Sequence, residues 1–190
     1  FKHESTKEGD TEMVSANNLT RGKFYQQSDG LLVGSNSEDG YAMVGTVANE
    51  STRSVAVIVG AADENYRAAE IKKLLEYGLS AFEYRQIETK GTFVRKINIK
   101  DGKEKKIKTE AASDFSVLLN KEDFDKIVKK VDVNKTIQAP AHKGDVVGEV
   151  VYMVGEKELG RIEIVLSEDM EKAGWFTLLI RKILAFFGLD

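Results

Sequence analysis

Apolar and polar positions follow no sustained period over residues 1–40, where Gly, Ser, Asn and Asp recur; loop with short extended pieces is expected there. Order begins at 41–48, which reads as a strand, and residues 49–52 (Asn-Glu-Ser-Thr) carry turn chemistry. A second strand is expected over 54–61. Its run 55–59 is apolar without interruption, which predicts cover on both faces and sets the hairpin at or near the centre of a sheet. A helix is expected over about 65–82. Ile71, Leu74, Leu75, Gly78 and Phe82 fall on one side at helical spacing, with Lys72, Lys73 and Glu76 on the other. Asp63 is its expected N-cap. A hairpin feeding an amphipathic helix is an α+β arrangement.

The pattern changes after about residue 85. Short strands are expected at 92–99, 103–110, 115–119, 146–154 and 161–166, while 126–133 fits either strand or helix. Asp101-Gly102 and the segment 155–158 supply turns, and Pro140 falls between strands, where a missing backbone donor is harmless. Strands at this spacing without helices between them predict an all-β sandwich, with a domain boundary near residue 86. No internal repeat is visible.

The stretch 175–189 is the most apolar in the chain. On a helical wheel Trp175, Phe176, Leu178, Leu179, Ile180, Ile183, Phe186, Phe187 and Leu189 fill a broad apolar sector, and Thr177, Arg181 and Gly188 a narrow polar one. Lys182 falls in the apolar sector, where its long stem can snorkel. Fifteen helical residues reach about 22 Å, short of the roughly 30 Å hydrocarbon core, so this helix is expected to lie in a membrane interface. Trp175 and Phe176 suit the headgroup boundary. Packing on the β-domain, or in an interface between copies, is the competing expectation.

Composition narrows the function classes. With 190 residues, 42% hydrophobic and 31% charged, the chain is long enough to bury a real core. Net charge is −3, which gives no general reason to expect a nucleic-acid partner. There is no Cys, so disulfides and thiolate metal sites are excluded. His3 and His142 lack metal-ligand spacing and are expected as surface residues; neither metal nor cofactor is expected. The run Lys103, Lys105, Lys106 and Lys108 is expected as a solvated face on an edge strand, with contact to anionic polymers as the alternative. Asp63, Glu64 and Glu70 suit a helix N-terminus and are not read as a catalytic carboxylate pair. The chain opens at Phe1 without Met and is expected to be a truncation.

Three segments together carry a resemblance. Ser28-Asp-Gly-Leu-Leu-Val-Gly34 followed by Asp39-Gly-Tyr41 resembles the segment of low-molecular-weight penicillin-binding proteins that reads Asp-Gly-Leu-Lys-Thr-Gly and then Ala-Gly-Tyr. Lys72-Lys-Leu-Leu-Glu-Tyr-Gly-Leu-Ser-Ala-Phe82 resembles the helix closing that family's catalytic domain. Ile137-Gln-Ala-Pro140 with Lys143-Gly-Asp-Val-Val-Gly148 resembles the β-sandwich that follows it. The resemblance covers nearly the whole chain in the family's order. It implies a remnant of a transpeptidase-like α+β domain (1–85), an all-β sandwich (86–171) and an amphipathic membrane-docking helix (172–190).

The family's chemistry uses a Ser-x-x-Lys, a Ser-x-Asn and the Lys-Thr-Gly strand. The Ser hydroxyl needs a neighbouring base, and the Lys-Thr-Gly strand offers a positive charge and a hydroxyl to the substrate carboxylate. This sequence departs at each cluster. No Ser-x-x-Lys occurs; Ser15-Ala-Asn17 matches Ser-x-Asn but stands far closer to the third segment than the family's spacing, and is read as coincidence. Leu32 and Val33 replace the Lys and Thr, leaving only Gly34. Leu31, Leu32 and Val33 are then expected as a short buried strand, and no catalytic residue is assigned. The resemblance implies a serine-type D-Ala-D-Ala carboxypeptidase of peptidoglycan biosynthesis, peripheral on the outer face of the bacterial cytoplasmic membrane and acting on peptidoglycan peptides. The chain as it stands is expected to be inactive. A pseudoenzyme or adaptor of the cell envelope is the alternative, and the sequence leaves the oligomeric state open.

Overall fold

The structure is a computed structural model describing residues 2–3, 11–12, 16–19, 25 and 27–187. Two compact units divide the chain: residues 1–84 with 118–121, and residues 85–117 with 122–190.

In the first unit two short strands, β1 (Lys2–His3) and β2 (Thr11–Glu12), pair antiparallel. β3 (Ser28–Asn36), β4 (Gly40–Ala48) and β5 (Arg53–Ala61) form an antiparallel meander in that order. Both its turns are fixed by asparagine side chains. Asn36 Oδ1 accepts from the amides of Glu38 and Asp39, and Asn49 Oδ1 from those of Ser51 and Thr52. Helix α1 (Glu64–Ala81) follows, with Asp63 Oδ1 accepting from Asn65 N at 2.8 Å and Tyr66 N at 2.9 Å. Its Ala68, Ile71 and Leu75 pack on Met43, Val47 and Ala56, with Leu19 in the same cluster. Gly45 lies beneath the helix: a Cβ there would meet Ile71 Cδ1 at 3.0 Å and Leu75 Cδ1 at 3.2 Å, a tight fit that a side chain at 45 could enter only by displacing those tips.

Three expectations fail in this unit. Val55, Val57 and Val59 are 57%, 61% and 76% exposed, and β5 is the edge strand of the described sheet. Ala56 and the half-buried Ile58 turn toward α1, which covers one face only; an apolar run does not report which of its faces is covered. Leu31 and Leu32 are exposed, not buried, because β3 is the other edge and has β4 as its one partner. Leu74 is also exposed, since the helix contacts the sheet along the narrower line of Ala68, Ile71 and Leu75.

The second unit is mostly β-sheet. β6 (Phe82–Glu88) and β9 (Phe115–Asn120) pair in a two-stranded ribbon, of which 85–88 and 115–117 belong to this unit and 82–84 and 118–120 to the first. β7 (Phe93–Lys100), β8 (Lys106–Ala111), β10 (Ile127–Val133), β11 (Thr136–Gln138), β12 (Val146–Val154) and β13 (Lys157–Leu166) form one curled sheet in the order β10-β12-β13-β8-β7-β11. Every neighbouring pair is antiparallel except β11 and β7. A 3-10 helix (Lys121–Lys126) leads into β10, so the ambiguous 126–133 segment is a strand. Ile97, Ile99, Ile107, Val150, Tyr152, Ile162, Ile164 and Leu166 form the core, in which alternation along each strand puts every second residue inside. Phe115 stacks on Tyr152 at 4.4 Å between centroids, over Gly160, whose absent Cβ would stand 2.6 Å from that ring.

Here too one expectation is corrected. Lys103, Lys105, Lys106 and Lys108 are exposed as expected, but β8 stands between β7 and β13, to which it pairs over 109–111, and is not an edge strand along its whole length. Helix α2 (Trp175–Phe186) ends the described chain.

Candidate functional site

Helix α2 carries the expected apolar face, and the structure leaves that face open. Trp175 is 77% exposed and Phe186 86%, and Phe176, Leu179, Ile180, Ile183 and Phe187 are exposed as well. Trp175 and Phe176 meet edge to face at 5.7 Å, as do Phe186 and Phe187 at 5.5 Å. Twelve residues give a length of about 18 Å. Gly188 and Leu189, the end of the expected helix, lie outside the described residues, as does the side chain of Lys182. No described helix is long and apolar enough to cross a membrane.

The start of α2 is tied to its own unit through the β7–β8 turn. Ala173 N donates to Asp101 O at 2.7 Å, Lys103 N to Glu171 O at 3.0 Å, and the Lys103 ammonium pairs with Glu171. From within the helix, Arg181 donates to Gly102 O at 2.8 Å and to Lys103 O at 2.9 Å. Arg181, foreseen on the narrow polar sector, therefore points back at the protein, while the described apolar side chains of the broad sector are exposed except for the half-buried Leu178. The sequence showed the polarity of Arg181 but not its two carbonyl partners.

The degenerate Lys-Thr-Gly position lies on β3. Leu32 stands opposite Val44, Val33 opposite Met43 and Gly34 opposite Ala42. With Val57 and Val59 they line a shallow hollow of about 150 Å³ in which no residue is charged. Such a hollow offers a carboxylate neither a cation nor a donor from the side chains at 32 and 33. Ser28 is buried, and its Oγ is engaged with Thr46 O at 3.1 Å. Sequence reading missed Arg67, which is 3% exposed on α1 and donates to Gly34 O and Ala42 O, both at 3.3 Å. It fixes the end of the strand that bears Gly34.

Comparison with known proteins bears on all of this. Residues 82–172 match the family described as penicillin-binding protein 5, C-terminal domain. The D-alanyl-D-alanine carboxypeptidase DacF of Bacillus subtilis (strain 168) is 31% identical over 170 residues, covering 89% of this chain and 43% of that protein. The chain belongs with the low-molecular-weight penicillin-binding proteins. It corresponds to their C-terminal portion and spans less than half the length of the curated relatives it matches. Among solved structures, penicillin-binding protein 5 from Haemophilus influenzae matches with a TM-score of 0.52 and 26% identity, over 77% of this chain and 43% of that one. The carboxypeptidase DacD from Francisella tularensis matches in fold with a TM-score of 0.58 and 23% identity, over 87% of this chain and 41% of that one.

As a penicillin-binding protein relative, the chain is notable for what its 190 residues do not contain. Ser-x-x-Lys is absent from the sequence. Ser15 lies outside the described residues, and Asn17 is buried with its Oδ1 accepting from Leu19 N, a structural role. His142 is exposed, 3.6 Å from Asp169 Oδ1, and among the described residues no group of His, Asp and Glu is placed to hold a metal. The best-built polar cluster is structural. Glu88 accepts from Lys129 Nζ at 2.7 Å and from the Tyr152 hydroxyl at 3.0 Å. Burial raises the Glu88 pKa, but the hydrogen bonds from Lys129, Tyr152 and Thr92 outweigh it and hold the group below its ordinary value. Burial and the neighbouring Glu88 push the Tyr152 hydroxyl up.

Proposed function

We propose that this chain is the C-terminal part of a serine-type D-Ala-D-Ala carboxypeptidase acting on peptidoglycan stem peptides at the outer face of the bacterial cytoplasmic membrane. Residues 1–85 are the end of its catalytic domain, 86–171 a β-stalk, and 172–190 an interfacial anchor. The observation that carries this reading is the exposed apolar face of α2, with Trp175 at its start and Arg181 turned back to the β7–β8 turn. A face of this breadth, left open at the end of a helix too short to span, fits the boundary of headgroups and acyl chains. The test is flotation of the full chain, and of residues 1–174, with phospholipid vesicles. The full chain is expected to float and the shortened one to stay behind; equal behaviour of the two overturns the anchor.

Leu32 and Val33 favour a second reading, a catalytically inactive envelope adaptor that retains the stalk and anchor. Two apolar side chains cannot ion-pair with the substrate carboxylate or donate to it. Both readings predict no covalent labelling of this chain by a fluorescent penicillin. The two part on the whole protein that bears it: labelling supports the enzyme, and its absence supports the adaptor.

A further inference from the structure

The curled sheet of the second unit does not close. Among the described residues β10 has β12 as its one strand partner, and β7 has β11 beside it only at 98–100. Residues 93–97 of β7 and the outer side of β10 are therefore two strand edges flanking a hollow of about 420 Å³. Arg95, Lys96, Lys106 and Lys135 line it, with Val131 and the single carboxylate of Asp132 on the β10 side. Four cations against one acid is the reverse of the chain's net charge of −3. Among the described residues none of the four has an ion-pair partner. Lys96 also stands directly opposite Lys108 across the β7–β8 pair, an arrangement of like charges that costs stability.

Lysines on exposed edges commonly serve to keep other strands away. That account does not reach Lys108, which has Lys96 opposite it on β7 and whose carbonyl accepts from Ser167 N on its other side. The cost of the facing Lys96 and Lys108, beside a hollow where one acid meets four cations, points to an anionic occupant. The walls decide its kind. Strand edges present alternating N–H and C=O groups, and a polyphosphate accepts hydrogen bonds but donates none, so it leaves the carbonyls of both walls unmet. An extended peptide satisfies donors and acceptors together and can add as a strand, its alternate side chains reaching the cations. We propose that the seam between β7 and β10 binds an extended acidic peptide segment of a partner protein. This reading is independent of the family's chemistry and of α2.

The test is an amide chemical-shift titration of the isotope-labelled full chain with a capped hexapeptide alternating glutamate and threonine. Two further probes are the same peptide with lysine for glutamate, and tripolyphosphate. Saturable shifts are expected at 93–97 and 131–133 with the acidic peptide, no such shifts with the lysine peptide, and weaker binding as salt is raised. Removing both wall charges by Arg95→Gln with Lys96→Gln should weaken the peptide at least about tenfold. Should that pair disturb the fold, seen as shifts of core amides, Lys135→Gln alone carries the test with a smaller loss, and Lys157→Gln, away from the hollow, should change nothing. The proposal is overturned by an absence of saturable shifts, by equal binding of the lysine peptide, or by tripolyphosphate reproducing the same shifts and displacing the peptide.

Discussion

Gly78 occupies a helix interior, where replacement by Ala ordinarily stabilises by about 1 kcal/mol. In this helix the sign should reverse. A Cβ at 78 would stand 2.1 Å from Ser54 Oγ and 2.9 Å from Ser54 Cβ, so α1 and β5 approach too closely for any side chain. Gly78→Ala is expected to destabilise the first unit by about 1–3 kcal/mol in urea unfolding, with Ser54→Gly restoring much of the loss. Glu88 is the corresponding single residue in the second unit. With its side chain only 11% exposed, Glu88→Gln weakens two charge-assisted hydrogen bonds and should cost about 2 kcal/mol. Because folding lowers the Glu88 pKa, its contribution is complete above the unfolded value of about 4.3 and disappears as pH falls through the lower folded value. Wild type should therefore lose stability below about pH 4 more steeply than Glu88→Gln, a difference readable from urea midpoints at pH 7 and pH 3.

At the scale of elements, strands were legible wherever polarity alternated between turn signals. The 146–154 strand of the sequence pattern is β12, and the helix expected over 65–82 is α1 with its Asp63 cap in place. β6 was not legible. It starts at Phe82, directly after the helix, so the apolar positions of α1 run on into the strand without a break. β11 has three residues, too few for any period. Burial was legible only where a strand alternates; 55–59 and 31–33 gave no sign of which face is open, because an apolar side chain reads the same in either setting. For α2 the pattern supplied the faces and the structure supplied the hinge. Arg181→Ala removes the hydrogen bonds to Gly102 O and Lys103 O, leaving the Ala173–Asp101 and Lys103–Glu171 contacts to hold the segment before the helix. Amide hydrogen exchange across α2 is expected to speed up in this variant while that of β12 and β13 stays unchanged, since among the described residues none of α2 enters the core. Unaltered exchange in α2 would mean that Arg181 does not hold it.

For the whole molecule, the pairing of distant strands was beyond the sequence pattern. β13 pairs with its sequence neighbour β12 on one side but reaches back to β8 on the other, and only the folded sheet shows that β7 and β10 end as facing edges. The same topology separates stability from surface attachment. The buried core of the second unit runs from Ile97 to Met170, and Ala173 is the last buried residue before α2 begins. Deleting 175–190 removes exposed apolar surface and the Arg181 contacts but leaves the linker's bridges at Met170 and Lys172 in place. Residues 1–174 are therefore expected to unfold thermally within about 2 °C of the full chain, as expected for a terminal segment outside the core. They should also be more soluble, because the large exposed side chains from Trp175 to Phe187 form the kind of apolar patch that drives association when no surface covers it. Calorimetry of both forms, without and with vesicles, checks this in one experiment. The full chain alone should show a vesicle-dependent rise in midpoint, because a surface bound only by the folded chain stabilises it. If the shortened form instead melts many degrees earlier, α2 is part of the core and its open face is not free to dock.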